Sequence, residues 1–393
     1  AIAARQRTAG AFLDSLATRF FVPAQNALVA DRSGNIAIRS TGHYPIRPDN
    51  GSGLPIRDGS SSASDWQGYW PVSDYPQAFN PAQGFLASAN QQPIDPAVQG
   101  RYLGPDAGYD AWRALQINKL LRADSSVTID EMRRFQTDPG SVRADLFVPR
   151  FLHAARGRRA VGAMSKALTA ADSVLGGWDR RYTVENTGSV LFEQAMREVA
   201  RRTWDELVPA GDSSRVATPG GTVLLRLMFD STSAWWDDRQ TPGRVEQRDD
   251  ILVAALEAAY DTLVRRYGPP GAGRWTWGER GAASLEHLLR LGGFSRRGLA
   301  VQSGPGTLNP SSSSGFGSSW RMVVELGDRV RALGTYPGGQ SGNPASARYD
   351  DRVRFWQRGD LELLYTPAAL DSVAPAQVRA SLTLVPPAAG VAR

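Results

Sequence analysis

Three histidines, His43, His153 and His287, are the only imidazoles in the sequence, and none sits in a pattern that builds a reactive centre. A zinc site would need ligands spaced as in His-Glu-x-x-His, which does not occur. The absence of cysteine removes thiolate nucleophiles, disulfides and Cys-ligated zinc. A Ser-His-Asp centre needs a serine on a sharp elbow, yet Gly-x-Ser-x-Gly is missing, and Ser341 in Gly339-Gln340-Ser341-Gly342 lacks that pattern. The glycine-rich pieces Gly304-Pro305-Gly306 and Gly315-Phe316-Gly317 have no following Lys-Ser/Thr, so they are weak phosphate loops. The acid pairs Asp237-Asp238, Asp249-Asp250 and Asp350-Asp351 are adjacent, and adjacent side chains point to different faces. Residue types and spacing alone therefore indicate a protein with packed or solvated histidines and no recognisable catalytic cluster.

The elements that would have to position any site read as follows. At 393 residues with 41% apolar composition, the chain is long enough for more than one lobe and apolar enough for globular cores. Thr8 to Arg19 fits a short amphipathic helix. Ala27 to Ala30, the turn Asp31-Arg32-Ser33-Gly34-Asn35, and Ile36 to Arg39 form a β-hairpin. Residues 48–65 are a surface loop, and Gly84 to Ser88 is a short strand candidate. Ala111 to Leu121 has helical spacing, and Thr128 with Glu131 makes a capping box for a helix to Thr137. Residues 145–290 are mainly helical, most clearly Leu191 to Leu207 and Arg248 to Tyr267. Residues 301–319 resemble a Gly/Ser/Pro linker, followed by strands at Trp320 to Leu326 and Leu361 to Tyr365. The expected class is α+β, with a large helical block between sheet-forming segments.

The net charge of +6 comes almost wholly from arginine, Lys119 and Lys166 being the only lysines. The basic residues are spread out and sit beside acids, as in Asp179-Arg180-Arg181 and Asp351-Arg352, so no nucleic-acid surface is expected. No apolar run approaches the roughly 20 residues a membrane span needs. The N-terminus lacks the apolar core of a signal peptide, so any export signal would have to precede it.

Several segments, taken in order, resemble the penicillin amidase family of N-terminal-nucleophile hydrolases. They are Pro23 to Ile36 with Gly42-His43-Tyr44-Pro45-Ile46-Arg47; Trp66 to Pro71; Asn80 to Asn90; and Arg113 with Ile117, Leu120 and Leu121. Leu175-Gly176-Gly177-Trp178-Asp179, Trp275 to Gly278, Pro337 to Pro344 and Trp356-x-x-Gly359 continue the series. Two departures are Gly281 and Arg348-Tyr349, at places where family members often carry His and His-Tyr. The resemblance implies part of an αββα fold: residues 1–115 as a sheet-core segment, 116–300 as the helical block, and 301–393 as a loop and strands returning to the sheet.

For chemistry, the resemblance implies an amidohydrolase that cleaves an N-acyl amide through an N-terminal Ser, with the Ser α-amino group as base and no cofactor required. A free α-amino group titrates near pH ~7.7–8.0, which suits that role. The family's Ser lies well upstream of the hairpin and position 1 is Ala. The nucleophile, most of the acyl pocket, the α-chain and the N-terminal part of the β-chain are thus expected upstream of this chain. Asn90 matches the family's oxyanion-hole asparagine, and Arg113 its active-site arginine. Their bland alternatives are a turn asparagine and a helix-surface arginine. Some members carry a structural calcium; Asp95 and Asp106 lie in the relevant stretch, but neither aligns cleanly and no ligand is assigned. Candidate substrates are a penicillin-type β-lactam, an N-acyl-homoserine lactone or another acylated amine. A non-catalytic remnant on the same scaffold is the reading from another class. Bacterial family members are commonly exported, so a periplasmic or secreted location is expected.

Overall fold

A computed structural model describes residues 3–48, 56–95, 110–207, 218–272, 274–311 and 317–365, with scattered positions from 373 to 385. Helix α1 (Ala9–Ala17) starts where Thr8 accepts a hydrogen bond from the Ala11 N–H at 3.3 Å, and it buries Leu13 against Ala37 of the adjoining sheet. That sheet begins with strands β1 (Gln25–Ala30) and β2 (Ile36–Thr41), antiparallel from Gln25↔Thr41 to Ala30↔Ile36. Asp31 fastens the turn. One carboxylate oxygen accepts from the Ser33 and Asn35 amides at 2.9 and 3.1 Å, and the other from the Ala9 amide at 3.1 Å. The Asn35 side chain, then the Ala9 amide, hold this carboxyl below its usual range. Buried Arg39 ties the layers together by pairing with Asp14 at 2.5 Å and donating to the Val72 carbonyl at 2.8 Å.

Strand β3 (Gln77–Phe79) completes the sheet beside β2. The expected strand at Gly84 to Ser88 is not one: the chain leaves the ladder at Asn80 (φ 45°), turns through Gly84 (φ 76°) and runs on without strand partners. Asn80 caps the departure, its Oδ1 accepting the Ile36 N–H at 2.9 Å.

The helical block follows as α2 (Trp112–Arg122), α3 (Ile129–Phe135), α4 (Val142–Ala160), α5 (Lys166–Gly176), α6 (Gly188–Thr203), α7 (Gly221–Leu227), α8 (Arg248–Tyr267) and the short α9 (Trp277–Arg280). The capping box of α3 is present as expected, with Glu131 accepting from the Thr128 N–H at 2.8 Å. Phe147, Phe151, Leu175, Phe192, Ile251 and Leu256 share one core. Burying each such side chain contributes about 1.5–3 kcal/mol, which explains why α4, α5, α6 and α8 pack together. Inside that core Glu193 accepts from Arg143 at 2.7 Å and from the Tyr182 hydroxyl at 2.5 Å. Burial, then the Glu193 charge, pushes the Tyr182 hydroxyl well above its ordinary range, so it remains a donor. The first expected segment boundary, near residue 115, falls inside α2, so sheet segment and helical block share that helix.

After α9 the chain forms a two-stranded ribbon, β4 (Ala283–Leu285) with β5 (Arg296–Leu299). The last elements are β6 (Arg321–Glu325), β7 (Arg331–Thr335), α10 (Val353–Arg358) and β8 (Glu362–Leu364). Two expectations need correction here. The described first part of the linker-like stretch, 301–311, is packed: Ser303 and Thr307 are 0% exposed and Asn309 1%. Its glycines serve close approach, because a Cβ on Gly304 would stand 2.3 Å from the Tyr182 ring and one on Gly306 2.9 Å from Trp112 Cβ. Among the described residues, the C-terminal strands also form a sheet of their own and do not join the first one. Among the described residues β6, β7 and β8 pair in that order only with one another, and β6 rests beside α3, where Gln136 donates to the Met322 carbonyl at 2.5 Å. The class is α+β, with the helical block between the sheet-forming segments.

Candidate functional site

Asn90 ends the segment that leaves β3. Its φ of 59° is left-handed, a conformation asparagine tolerates better than most residues. The bend is clasped locally, since Gln91 Oε1 accepts the Ala89 N–H at 2.7 Å. The side chain of Asn90 is exposed, and Ala89 before it is buried. Arg113, in the first turn of α2, donates from Nη2 to Asn90 Oδ1 at 2.7 Å. A guanidinium has donors only, so the amide oxygen must face it. The Asn90 NH2 therefore points the other way, and it has no hydrogen-bond partner among the described residues.

Helix α2 grips the same segment a second time. Arg122 Nη2 donates to Gln83 Oε1 at 3.1 Å, and its guanidinium lies over the Phe85 ring at 5.7 Å. On the opposite flank Asn26 of β1 accepts from Ser40 Oγ at 2.7 Å and donates to Ser88 Oγ at 3.0 Å. Between sheet and segment lies a cavity of about 840 Å³, lined by Ser40, Tyr75, Phe85, Leu86, Ala87 and Gln91 among others. Asn90 is not in that lining, but Ala87 and Gln91 on either side of it are. The Tyr75 hydroxyl donates to the Gly42 carbonyl at 2.7 Å, and burial raises it above the ordinary phenol range, so it stays neutral.

The two residues singled out by sequence, Asn90 and Arg113, are thus brought into direct contact. Chemically, the arrangement offers one amide N–H pair, aimed by a cation behind it, that can donate to an anionic oxygen. Sequence reasoning missed Gln83, Gln91 and Arg122. Partners such as Arg122 and Gln83 lie 39 positions apart, and no local pattern signals such a contact.

Several of the other candidates have ordinary partners. His43 lies between the rings of Phe21 and Tyr69, and His287 beside Phe294. Ser341 accepts the Asn343 N–H in a turn. Asp238 pairs with Arg202, Asp250 with Arg158 and Arg244, Asp350 with Arg296, and Asp351 with Arg348. Asp106 lies outside the described residues, and among those described no three His, Asp or Glu side chains group as metal ligands. No helix among the described residues is long and apolar enough to cross a membrane.

A family model described as penicillin amidase matches residues 3–372. Among curated proteins, the acyl-homoserine lactone acylase QuiP of Pseudomonas aeruginosa is 28% identical over 388 residues, covering 88% of this chain and 45% of that protein. Its namesake in Pseudomonas syringae pv. tomato is 29% identical over 369 residues, covering 85% and 43%. Penicillin G acylase of Escherichia coli is 25% identical over 274 residues, covering 62% and 31%. The chain thus spans less than half the length of these relatives. A thermostable penicillin G acylase from Alcaligenes faecalis shares the fold, with a TM-score of 0.70 at 20% identity, over 98% of this chain and 72% of that one.

Proposed function

The chain belongs to the penicillin amidase family, and from that premise we propose that it supplies the oxyanion-binding part of a hydrolase of N-acyl amides. The observation that carries the reading is the 2.7 Å contact that turns the Asn90 amide outward from Arg113. When a nucleophile adds to an amide carbonyl, negative charge develops on oxygen, and a pre-aimed N–H pair stabilises it without reorganising. Arg113 contributes from behind, polarising the amide and fixing which end faces the reaction. The nucleophile is an N-terminal Ser on polypeptide outside this chain, with its own α-amino group as base, in keeping with relatives more than twice the aligned length. The α-chain and the start of the β-chain are the partners this reading requires, and export to the periplasm or beyond goes with it.

Among acyl amides, N-acyl-homoserine lactones are favoured over penicillins as substrate. The relatives named for that activity align over 85–88% of the chain, against 62% for the Escherichia coli penicillin G acylase. The test is Asn90→Ala in the intact protein, assayed on an N-acyl-homoserine lactone and on a phenylacetyl amide. Loss of one oxyanion donor should lower kcat by about 10²–10³-fold, with the fold retained. Near-normal kcat in a folded variant would remove Asn90 from the oxyanion site. Absence of turnover in the unmodified intact protein would favour a non-catalytic scaffold.

A further inference from the structure

Helix α2 carries Arg113, and the way this helix is anchored has a feature that packing alone does not require. Gln116, one turn after Arg113, is 2% exposed. Residues three apart on a helix are neighbours on its surface, so whatever fixes Gln116 also fixes the base of Arg113. Gln116 makes one side-chain hydrogen bond, from Nε2 to Asp138 Oδ2 at 2.7 Å, and its Oε1 is buried without a partner. A leucine or methionine would fill the same place and leave no unsatisfied oxygen. The one hydrogen bond the amide contributes there is the bond to Asp138.

The partner in that bond is rigidly mounted. Asp138 is 8% exposed; its Oδ1 accepts from Arg181 at 2.6 Å, and its Oδ2 also accepts the Gly140 N–H at 3.1 Å. Gly140 bridges to Arg181 through the backbone, and a Cβ there would stand 2.7 Å from both Asp138 Oδ2 and Gln116 Nε2. The spot is thus held open for this contact. Trp112, on the other side of Arg113 in sequence, is buried against Phe147 and sets how deeply α2 sits. Gln116, one turn beyond Trp112 on the same face, supplies the polar tie that shares with it in fixing the rotation of the helix about its axis.

We propose that Gln116, fastened to Asp138, is a positioning residue: it sets the rotation of α2 so that Arg113 holds the Asn90 amide in its donating orientation. The inference rests on the oxyanion reading given above. A group about 9 Å from a helix axis swings through about 1.6 Å when the helix turns by about 10°, given a Cα radius of about 2.3 Å plus the side chain's reach. That displacement is enough to break a contact of 2.7 Å, and misplacements of about 1 Å can cost large factors in rate.

The experiment is a double-mutant cycle in the intact protein with a chromogenic fatty-acyl anilide. Gln116→Met keeps volume and helix propensity but removes the tie. It should lower kcat about fivefold or more with KM unchanged, and the effect should vanish in an Arg113→Met background, because the two residues act through one contact. A loss of stability would instead lower activity by the same factor in both backgrounds. Should Gln116→Met fail to fold, Gln116→Asn, too short to reach Asp138, takes its place in the cycle. Equal effects in both backgrounds, or unchanged kcat in Gln116→Met, would overturn the inference while leaving the oxyanion reading intact. Normal kcat in both Asn90→Ala and Arg113→Met would overturn the oxyanion reading, and this inference with it.

Discussion

Replacing Arg113 by Met tests whether the cation behind the amide matters as orientation or only as charge. The substitution keeps a long, helix-favouring side chain and deletes the donor that meets Asn90 Oδ1 at 2.7 Å. Hydrogen bonds to charged groups contribute about 1.5–3 kcal/mol, and this one is exposed, so water replaces part of the loss and the low end applies. The same size follows from counting orientations. An untethered Asn amide has about two end-over-end states and about three χ1 wells, so about one in six molecules keeps the donating pose. That predicts a drop in kcat of about sixfold, about 1.1 kcal/mol, rising toward about twentyfold if the lost polarisation also counts. The effect must stay below that of Asn90→Ala, because the donor itself is still present. Arg113→Lys should fall between, having charge without the planar fork. Steady-state kcat and KM on an acyl anilide, with melting temperature measured in parallel, decide the matter. A kcat within twofold of the parent in a variant of unchanged melting temperature would refute the reasoning, as would a rise in KM alone.

Two further expectations concern stability. Gly188 opens α6 against Trp178, and a Cβ there would stand 2.4 Å from Trp178 Cβ, so Gly188→Ala should cost about 1–3 kcal/mol or more through overpacking. Thermal denaturation should show a fall of several degrees; a midpoint within a degree of the parent would contradict the packing argument. Glu286 is paired with Arg297 across the β4–β5 ribbon, and bonds from Arg297 and then Ser295 lower its carboxyl to about 2 from 4.5. A depressed carboxyl stabilises above its unfolded value, so the ribbon should be fully held above pH ~4.5 and weaken as pH falls toward about 2. Amide hydrogen exchange across β4–β5 should speed up in that window, and Glu286→Gln should abolish the pH dependence; a flat profile in the parent would contradict it.

What the sequence made legible were the features whose causes are local. The β1–β2 hairpin is fixed by Asp31, Gly34 and Asn35 within a few residues, and the α3 capping box lies within four. Helix α8 runs from Arg248 to Tyr267, the span its periodicity predicts. Strand β3 was not legible, because it is short and its partner β2 is remote, and β7 was not, although it pairs with the neighbouring β6. Gly334 stands in β7 where Leu364 and Trp320 press so closely that a Cβ would lie 2.9 Å from the Leu364 side chain, and to sequence patterning that glycine reads as a break. At the candidate site, Asn90 and Arg113 were singled out through the family resemblance rather than from their residue types. Their contact spans 23 positions, and that of Gln116 with Asp138 spans 22, distances at which no periodicity operates.

The glycines of the 303–309 stretch bear on how the protein can be engineered. Composition marks that stretch as a natural place to insert a tag or trim a few residues. Yet Gly306 lies flat on Trp112, next in sequence to Arg113, and Gly304 lies on Tyr182, whose hydroxyl meets Glu193. It acts as a gasket between the C-terminal strands and the helix bearing the amide-holding arginine, so a change in its length would be felt at the contact between Arg113 and Asn90.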